Sequence, residues 1–172
     1  LQFLHSVWPD DQAAIDCLQE MFGYIVSGST KFHKIMMIVG PKRSGKGTIA
    51  RILHQLIGTE NCCAPTLNSL AGDFGLEPLL GKPLATISDA RLGGKSNQKV
   101  IAERLLTVSG EDEVSVNRKH KNALTGKLPS RFLIMSNELP ALEDASSALA
   151  SRFVLLTMIN SFYGREDHGL TS

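Results

Sequence analysis

Residues 35–58 carry the feature that most constrains this chain. Ile35-Met-Met-Ile-Val39 is an unbroken apolar run, the pattern of a strand buried on both faces of a sheet. It is followed by Gly40-Pro41-Lys42-Arg43-Ser44-Gly45-Lys46-Gly47-Thr48, a match to G-x-x-x-x-G-K. IARILHQLIG then repeats apolar residues at helical spacing and closes on Gly58. Glycines let consecutive backbone N–H groups turn inward around an oxyanion. The helix N-terminus adds partial positive charge, and a lysine at position 46 reaches the β- and γ-phosphates of a nucleotide such as ATP. The letters alone recur by chance; set between a buried strand and an amphipathic helix, they define residues 40–48 as a nucleotide-binding loop. Gly47 stands where most such loops place a Ser or Thr that ligates Mg²⁺, and Thr48 lies one position later. The Thr48 hydroxyl can contact a phosphate, the metal or only its water shell, and the sequence leaves the choice open.

The rest of the chain has the same alternation. Asp10 or Asp11 is placed to cap a helix whose Ala14, Leu18, Phe22 and Ile25 recur at helical spacing, stopped at Gly28. Leu84 to Ser88 reads as a second strand, ending in Asp89. A loop with Gly93-Gly94 leads to a helix from about Gln98 to Val108, with Asn97 as its cap. Arg131 to Ser136 is a third strand, ending in Asn137, and a short helix around Ser146 to Ala150 precedes Arg152 and a last strand, Phe153 to Thr157. Buried strands alternating with helices predict an α/β fold with a largely parallel sheet. Residues 59 to 83 hold turn formers and two short apolar segments whose order the pattern does not give.

Each strand end offers chemistry. A carboxylate at Asp89 can hold Mg²⁺ directly or through water, and can help to orient an attacking water; an acid ending a strand is otherwise a turn cap. Ala90 follows where many motors have a second acid, so no general base is identified. The Asn137 carboxamide can hydrogen-bond a γ-phosphate oxygen and the attacking water, although asparagine after a strand is more often a turn residue. Arg152 and Arg131 are rival candidates for stabilising charge on the transferred phosphoryl group. Val114 and Val116 alternate with polar residues, RKHKN interrupts, and a second arm runs through Thr125, which reads as a basic-tipped hairpin. Arg118, Lys119, His120 and Lys121 form the densest basic cluster, suited to a phosphodiester backbone, and no aromatic accompanies them for base stacking. Charge runs are usually only solvated faces; the phosphate-loop company tips this one toward DNA.

Together GPKRSGKGT, LATISDA, VSGEDEVSVNRKHKN and RFLIMSNELP with ASRF resemble the superfamily 3 helicases, above all the helicase domain of phage and plasmid primase-helicases. The resemblance covers nearly the whole chain. It implies an AAA+-like P-loop NTPase that assembles as a ring, a hexamer by analogy, with ATP and Mg²⁺ at subunit interfaces and single-stranded or forked DNA in the channel. Lys46 falls on the phosphate-binding lysine, Asp89 on the acidic motif, Asn137 on the polar sensor, and Lys119 with its neighbours on the channel hairpin. Arg152 matches the arginine acting in trans, which separates it from Arg131. A primase module upstream in the parent protein and a bacterial-host cytoplasm are further implications.

With 172 residues, 42% hydrophobic and 20% charged, the chain supports one packed domain. We expect a helical lead-in over 1–30, an ATPase core over 31–160, and the start of a longer extension over 161–172. The chain lacks an initiator Met and a closing element and reads as a piece of something longer. A net charge of +1 requires that any DNA-binding charge be local. No apolar stretch approaches the roughly 20 residues of a membrane span, and LQFLHSVWPDD has no signal-peptide pattern. Cys17, Cys62 and Cys63 offer no C-x-x-C pair and read as buried thiols. Two rival functions remain: a nucleoside monophosphate kinase, whose phosphate loop also ends Gly-Thr but whose arginine-rich lid has no counterpart here, and a non-motor initiator or loader ATPase.

Overall fold

Side-chain alternation along the central strands explains the layering. The computed structural model describes residues 1–90, 95–140 and 147–165. Strands β1 (Ile35–Val39), β2 (Cys62–Cys63), β3 (Leu84–Ile87), β6 (Arg131–Ser136) and β7 (Phe153–Thr157) form one parallel sheet in the order β2-β3-β6-β1-β7. Ile35 and Met37 of β1 face one core, with Phe132 and Ile134 of β6. Met36 and Ile38 face the other, with Leu133 and Met135. Period-two alternation in a sheet covered on both faces thus gives runs that are apolar at every position. Helix α5 (Lys95–Ser109) covers the first face through Ile101, Ala102 and Leu105. Helices α2 (Gln12–Val26) and α3 (Lys46–Ile57) cover the second through Ile15, Leu18, Ile25, Ile49 and Leu53. The expected α/β class with a mostly parallel sheet flanked by helices is the observed one.

Helix ends follow local chemistry. The Asp11 side chain accepts from Ala14 N at 2.9 Å and caps α2, and Gly28 lies just beyond it at φ +74°. A further helix, α1 (Gln2–Val7), precedes it and joins the α2/α3 core through Val7. Within residues 59–83, two 3-10 turns, Thr59–Asn61 and Glu77–Leu79, bracket β2 and α4 (Leu67–Leu70), the latter closed by a Thr66/Ser69 capping box.

Two expectations need correction, on the start of α5 and on the hairpin. Helix α5 begins at Lys95, so Asn97 lies in its first turn and is not its cap. The Gly93-Gly94 loop falls outside the described residues, as does Ser146; the short helix α6 spans Ser147–Ala150. The hairpin is tighter than RKHKN implies: β4 (Val114–Arg118) and β5 (Lys121–Gly126) pair up to Arg118 and Lys121, leaving only Lys119-His120 at the tip, with His120 at φ +58°. All three cysteines are free, and burial raises their pKa values, that of Cys63 to about 11, so they stay protonated. No helix among the described residues is long and apolar enough to cross a membrane.

Candidate nucleotide and nucleic-acid site

Because the five strands are parallel, their C-terminal ends share one edge of the sheet, where ligands bind in open α/β folds. Backbone bonds extend the pairing past the strand ends: Gly40 N donates to Ser136 O at 3.1 Å and Ala90 N to Met135 O at 3.2 Å. They set the phosphate loop on one side of Asn137 and Asp89 on the other. Adjacent strands are ~4.8 Å apart, so Asp89 and the loop strand stand on the order of 10 Å from one another across β6. Asp89 and Asn137 are both exposed at this edge.

Lys46 ties the centre together. Its Nζ donates to Gly40 O at 2.5 Å and Pro41 O at 2.7 Å, and reaches Ser44 Oγ and Asn137 Oδ1, each at 3.3 Å. Burial lowers its pKa. On the outer side of the loop, Ser161 Oγ donates to Lys42 O at 2.9 Å and Phe162 N to Arg43 O at 2.8 Å. The carbonyls of residues 40–43 therefore all accept from within the protein, which leaves the amide side of the loop for an oxyanion. That donor set, next to a lysine amine and a helix N-terminus, fits the phosphates of a nucleotide.

Two glycines of the motif are dictated by neighbours as well as by the loop. Gly45 holds φ +101° as the α3 N-cap, and a Cβ there would lie 2.9 Å from Phe3 Cζ of α1. A Cβ on Gly40 would meet Met158 Cβ and O at 2.7 Å. Gly47 differs: the nearest atom to a Cβ there is Arg51 Nη1 at 3.7 Å. Arg51 Nη2 also donates to Thr48 Oγ1 at 3.1 Å, so a cation already holds one lone pair of the hydroxyl that a metal would use. Among the described residues no three metal-ligating side chains converge. Mg²⁺ usually takes one or two carboxylates with substrate phosphates and water, and the lone Asp89 at the loop edge fits that pattern.

Sequence reasoning missed one contact here. His54 Nε2 of α3 lies 2.8 Å from Thr86 Oγ1, buried on β3, and burial lowers the His54 pKa. The pair joins the loop helix to the strand that delivers Asp89. Its members are far apart in sequence, and although Thr86 lies within LATISDA, nothing in that motif pairs it with His54.

The two arginines sit at the opposite edge of the sheet. Arg152 precedes β7, whose five residues span about 17 Å at ~3.4 Å per residue. Its Nη1 donates to Leu106 O at 2.8 Å and Ser109 Oγ at 2.9 Å, at the C-terminal end of α5. Arg131 is 3% exposed and donates to Gly28 O at 2.9 Å and Ile25 O at 3.3 Å, closing the end of α2, with its Nε unpaired. Neither is brought to the phosphate loop of its own chain. The basic tip is also apart from the loop. Lys119, His120 and Lys121 are exposed, Arg118 Nε donates to Asn122 O at 2.8 Å, and Lys119 N donates to the Glu77 carboxylate.

Fold and site together define a P-loop NTPase-type α/β domain. The family described as a family of unknown function (DUF5906) matches residues 38–152. This is more than half of the chain, and the chain belongs to that family. Among solved structures it is similar to the C-terminal region of NrS-1 in its apo form, with TM-score 0.76 and 18% identity, covering 97% of this chain and 39% of that one. It is also similar to the JCV helicase, with TM-score 0.59 and 22% identity over 95% of this chain and 47% of that one. NtrX from Brucella abortus in complex with ADP gives TM-score 0.51 and 17% identity, over 85% and 36%. At such identities the likeness is one of fold, and this chain spans less than half of each of these structures.

Proposed function

We propose that this domain is an ATP-hydrolysing motor of the ring-helicase type, translocating on single-stranded DNA in phage- or plasmid-type replication. The observation that carries the reading is the Lys46 amine, shared between the phosphate loop and Asn137 on the adjacent strand. A γ-phosphate entering the loop competes for the same amine. Its arrival would thereby be felt at Asn137, the group that would orient the attacking water. Asp89 would hold Mg²⁺ together with the phosphates, and the bound metal would neutralise charge on their oxygens. With Arg152 about one strand length from the loop of its own chain, any action on a nucleotide falls on that of a neighbouring subunit, which is the ring reading. Arg118, Lys119, His120 and Lys121 would contact DNA phosphates. Residues 31–160 would be the motor core, with 1–30 and 161–172 as flanking elements.

The JCV structure is by its title a helicase, and NtrX is complexed with ADP; both support the reading. The test is ATP hydrolysis with and without single-stranded DNA on a longer chain, alongside strand displacement. DNA-stimulated hydrolysis with unwinding is expected. DNA binding and hydrolysis without unwinding point to an initiator or loader. Phosphate transfer to a nucleoside monophosphate, indifferent to DNA, overturns the motor reading.

A further inference from the structure

We propose that Glu77 is an acidic latch on the basic hairpin: its carboxylate occupies the Lys119 backbone amide that a DNA phosphodiester oxygen takes when the strand binds. The inference rests on the DNA reading of the hairpin. The two Glu77 oxygens lie equally far, 3.3 Å, from Lys119 N, at a Lys119-His120 tip flanked by Arg118 and Lys121. A carboxylate and a phosphodiester are both anionic acceptors, and one N–H cannot serve both well.

The rest of the hairpin is fixed to the segment that bears Glu77. Ser130, at the hairpin's exit, is 1% exposed, and its Oγ donates to Lys82 O at 2.6 Å and Leu79 O at 3.2 Å. Val116 of β4 and Leu128 are buried in the same cluster as Leu76 and Leu79, which flank Glu77. The base is thus held by packing and buried hydrogen bonds, while the tip hangs on a long, solvent-exposed contact. Exposed contacts of this kind exchange at little cost, so an incoming phosphate can displace the carboxylate without disturbing the hairpin's seat. Until then Glu77 partly neutralises the tip and screens weak encounters.

The experiment compares wild type, Glu77→Ala and Glu77→Gln in the longer chain. It measures Lys119 amide hydrogen exchange without DNA and affinity for single-stranded oligonucleotide at several salt concentrations. Faster exchange of that amide is expected in Glu77→Ala. Oligonucleotide binding should tighten by about three- to tenfold at low salt, with a steeper salt dependence. Glu77→Gln, which keeps the shape and loses the charge, should fall between, and it carries the same readouts should the alanine variant fold poorly. Unchanged exchange shows that the contact does not exist. Wild type that binds DNA, with variants that bind no tighter, overturns the latch alone. If none of the three binds DNA at any salt, the DNA reading of the hairpin falls, and the latch falls with it.

Discussion

Replacing Arg152 with alanine should do two separable things. The structural one follows from its hydrogen bonds: a cationic donor is removed from Leu106 O and Ser109 Oγ at the end of α5. Neither acceptor is left orphaned, since Leu106 O still receives Gly110 N at 2.8 Å and Ser109 Oγ still donates to Leu105 O at 2.6 Å. The loss is therefore the net worth of one partly buried charged donor at a helix C-terminus, about 1–3 kcal/mol. For a domain of this size each kcal/mol moves Tm by about 2–4 °C, so a fall of roughly 2–12 °C is expected by thermal unfolding. The functional effect should be an assembled state that binds ATP and does not hydrolyse it, assayed well below the lowered Tm. Mixing with Lys46→Ala subunits provides the control, because an intact lysine surface can then meet an intact arginine surface at a shared site. Recovered hydrolysis in mixed rings supports action in trans. An unchanged Tm refutes the capping argument, and no recovery despite proven mixed assembly refutes the trans-acting one, leaving Arg152 as the clamp on α5.

Lys46→Ala should abolish nucleotide binding or turnover with little loss of fold, since its partners lie in the loop and at the exposed Asn137 rather than in the core; undiminished hydrolysis by the purified variant ends the motor reading. Asp89→Asn should retain ATP binding and lose most hydrolysis, and normal turnover would make Asp89 a turn residue. His54, its pKa lowered by burial from the ordinary 6.5, contributes no pH dependence while both folded and unfolded states are neutral. As pH falls below 6.5 the unfolded chain takes up the proton first, so stability should decline there until the folded state is protonated too. His54→Gln should flatten that part of a denaturation-versus-pH profile, and an unaltered profile counts against the assignment. Replacing Lys119 and His120 together by alanine should weaken DNA binding about equally across sequences and reduce the log–log salt slope by roughly one unit per lost phosphate contact, with unwinding lost; an unchanged slope makes the tip a solvated turn.

The sheet was legible because its signal is local and repeated. Ile35–Val39, Leu84–Ile87 and Arg131–Ser136 are largely apolar runs buried on both faces, and Phe153–Thr157, at the sheet edge, keeps an apolar run although only Leu156 in it is fully buried. Helix α2 was legible for the same reason, with a capping acid at one end and Gly28 beyond the other. Residues 59–83 were not. Their elements are two to four residues long, too short for either period to repeat, and their positions are set by tertiary contacts such as that of Arg104 Nη1 with the carbonyls of Leu70 and Gly72. The start of α5 was misplaced because Asn97 is as good a cap by type as any residue before it, and propensity alone cannot say which turn is first.

In the site, sequence order delivered the residues that parallel strands bring to one edge, because a strand's end in sequence is also its end in space. Gly40, Asp89 and Asn137 needed only that rule. The arginines did not obey it: Arg131 and Arg152 both stand at strand beginnings, and their letters are equally suited to phosphate. The structure separates them by burial and by what they hold. Arg131, almost wholly enclosed against the end of α2, cannot leave without opening the core and giving up its bond to Gly28 O, although Ile25 O keeps the Gly28 N–H. Arg152 is held at the end of α5 by two side-chain bonds whose acceptors keep other partners. Of the two, only Arg152 can be given up to a neighbouring subunit at modest cost, and α5 runs directly into the hairpin that begins at Val114. On the motor reading proposed above, a guanidinium shared between a neighbour's nucleotide and the helix leading to the basic hairpin would be a physical means by which occupancy at one site is felt at the other.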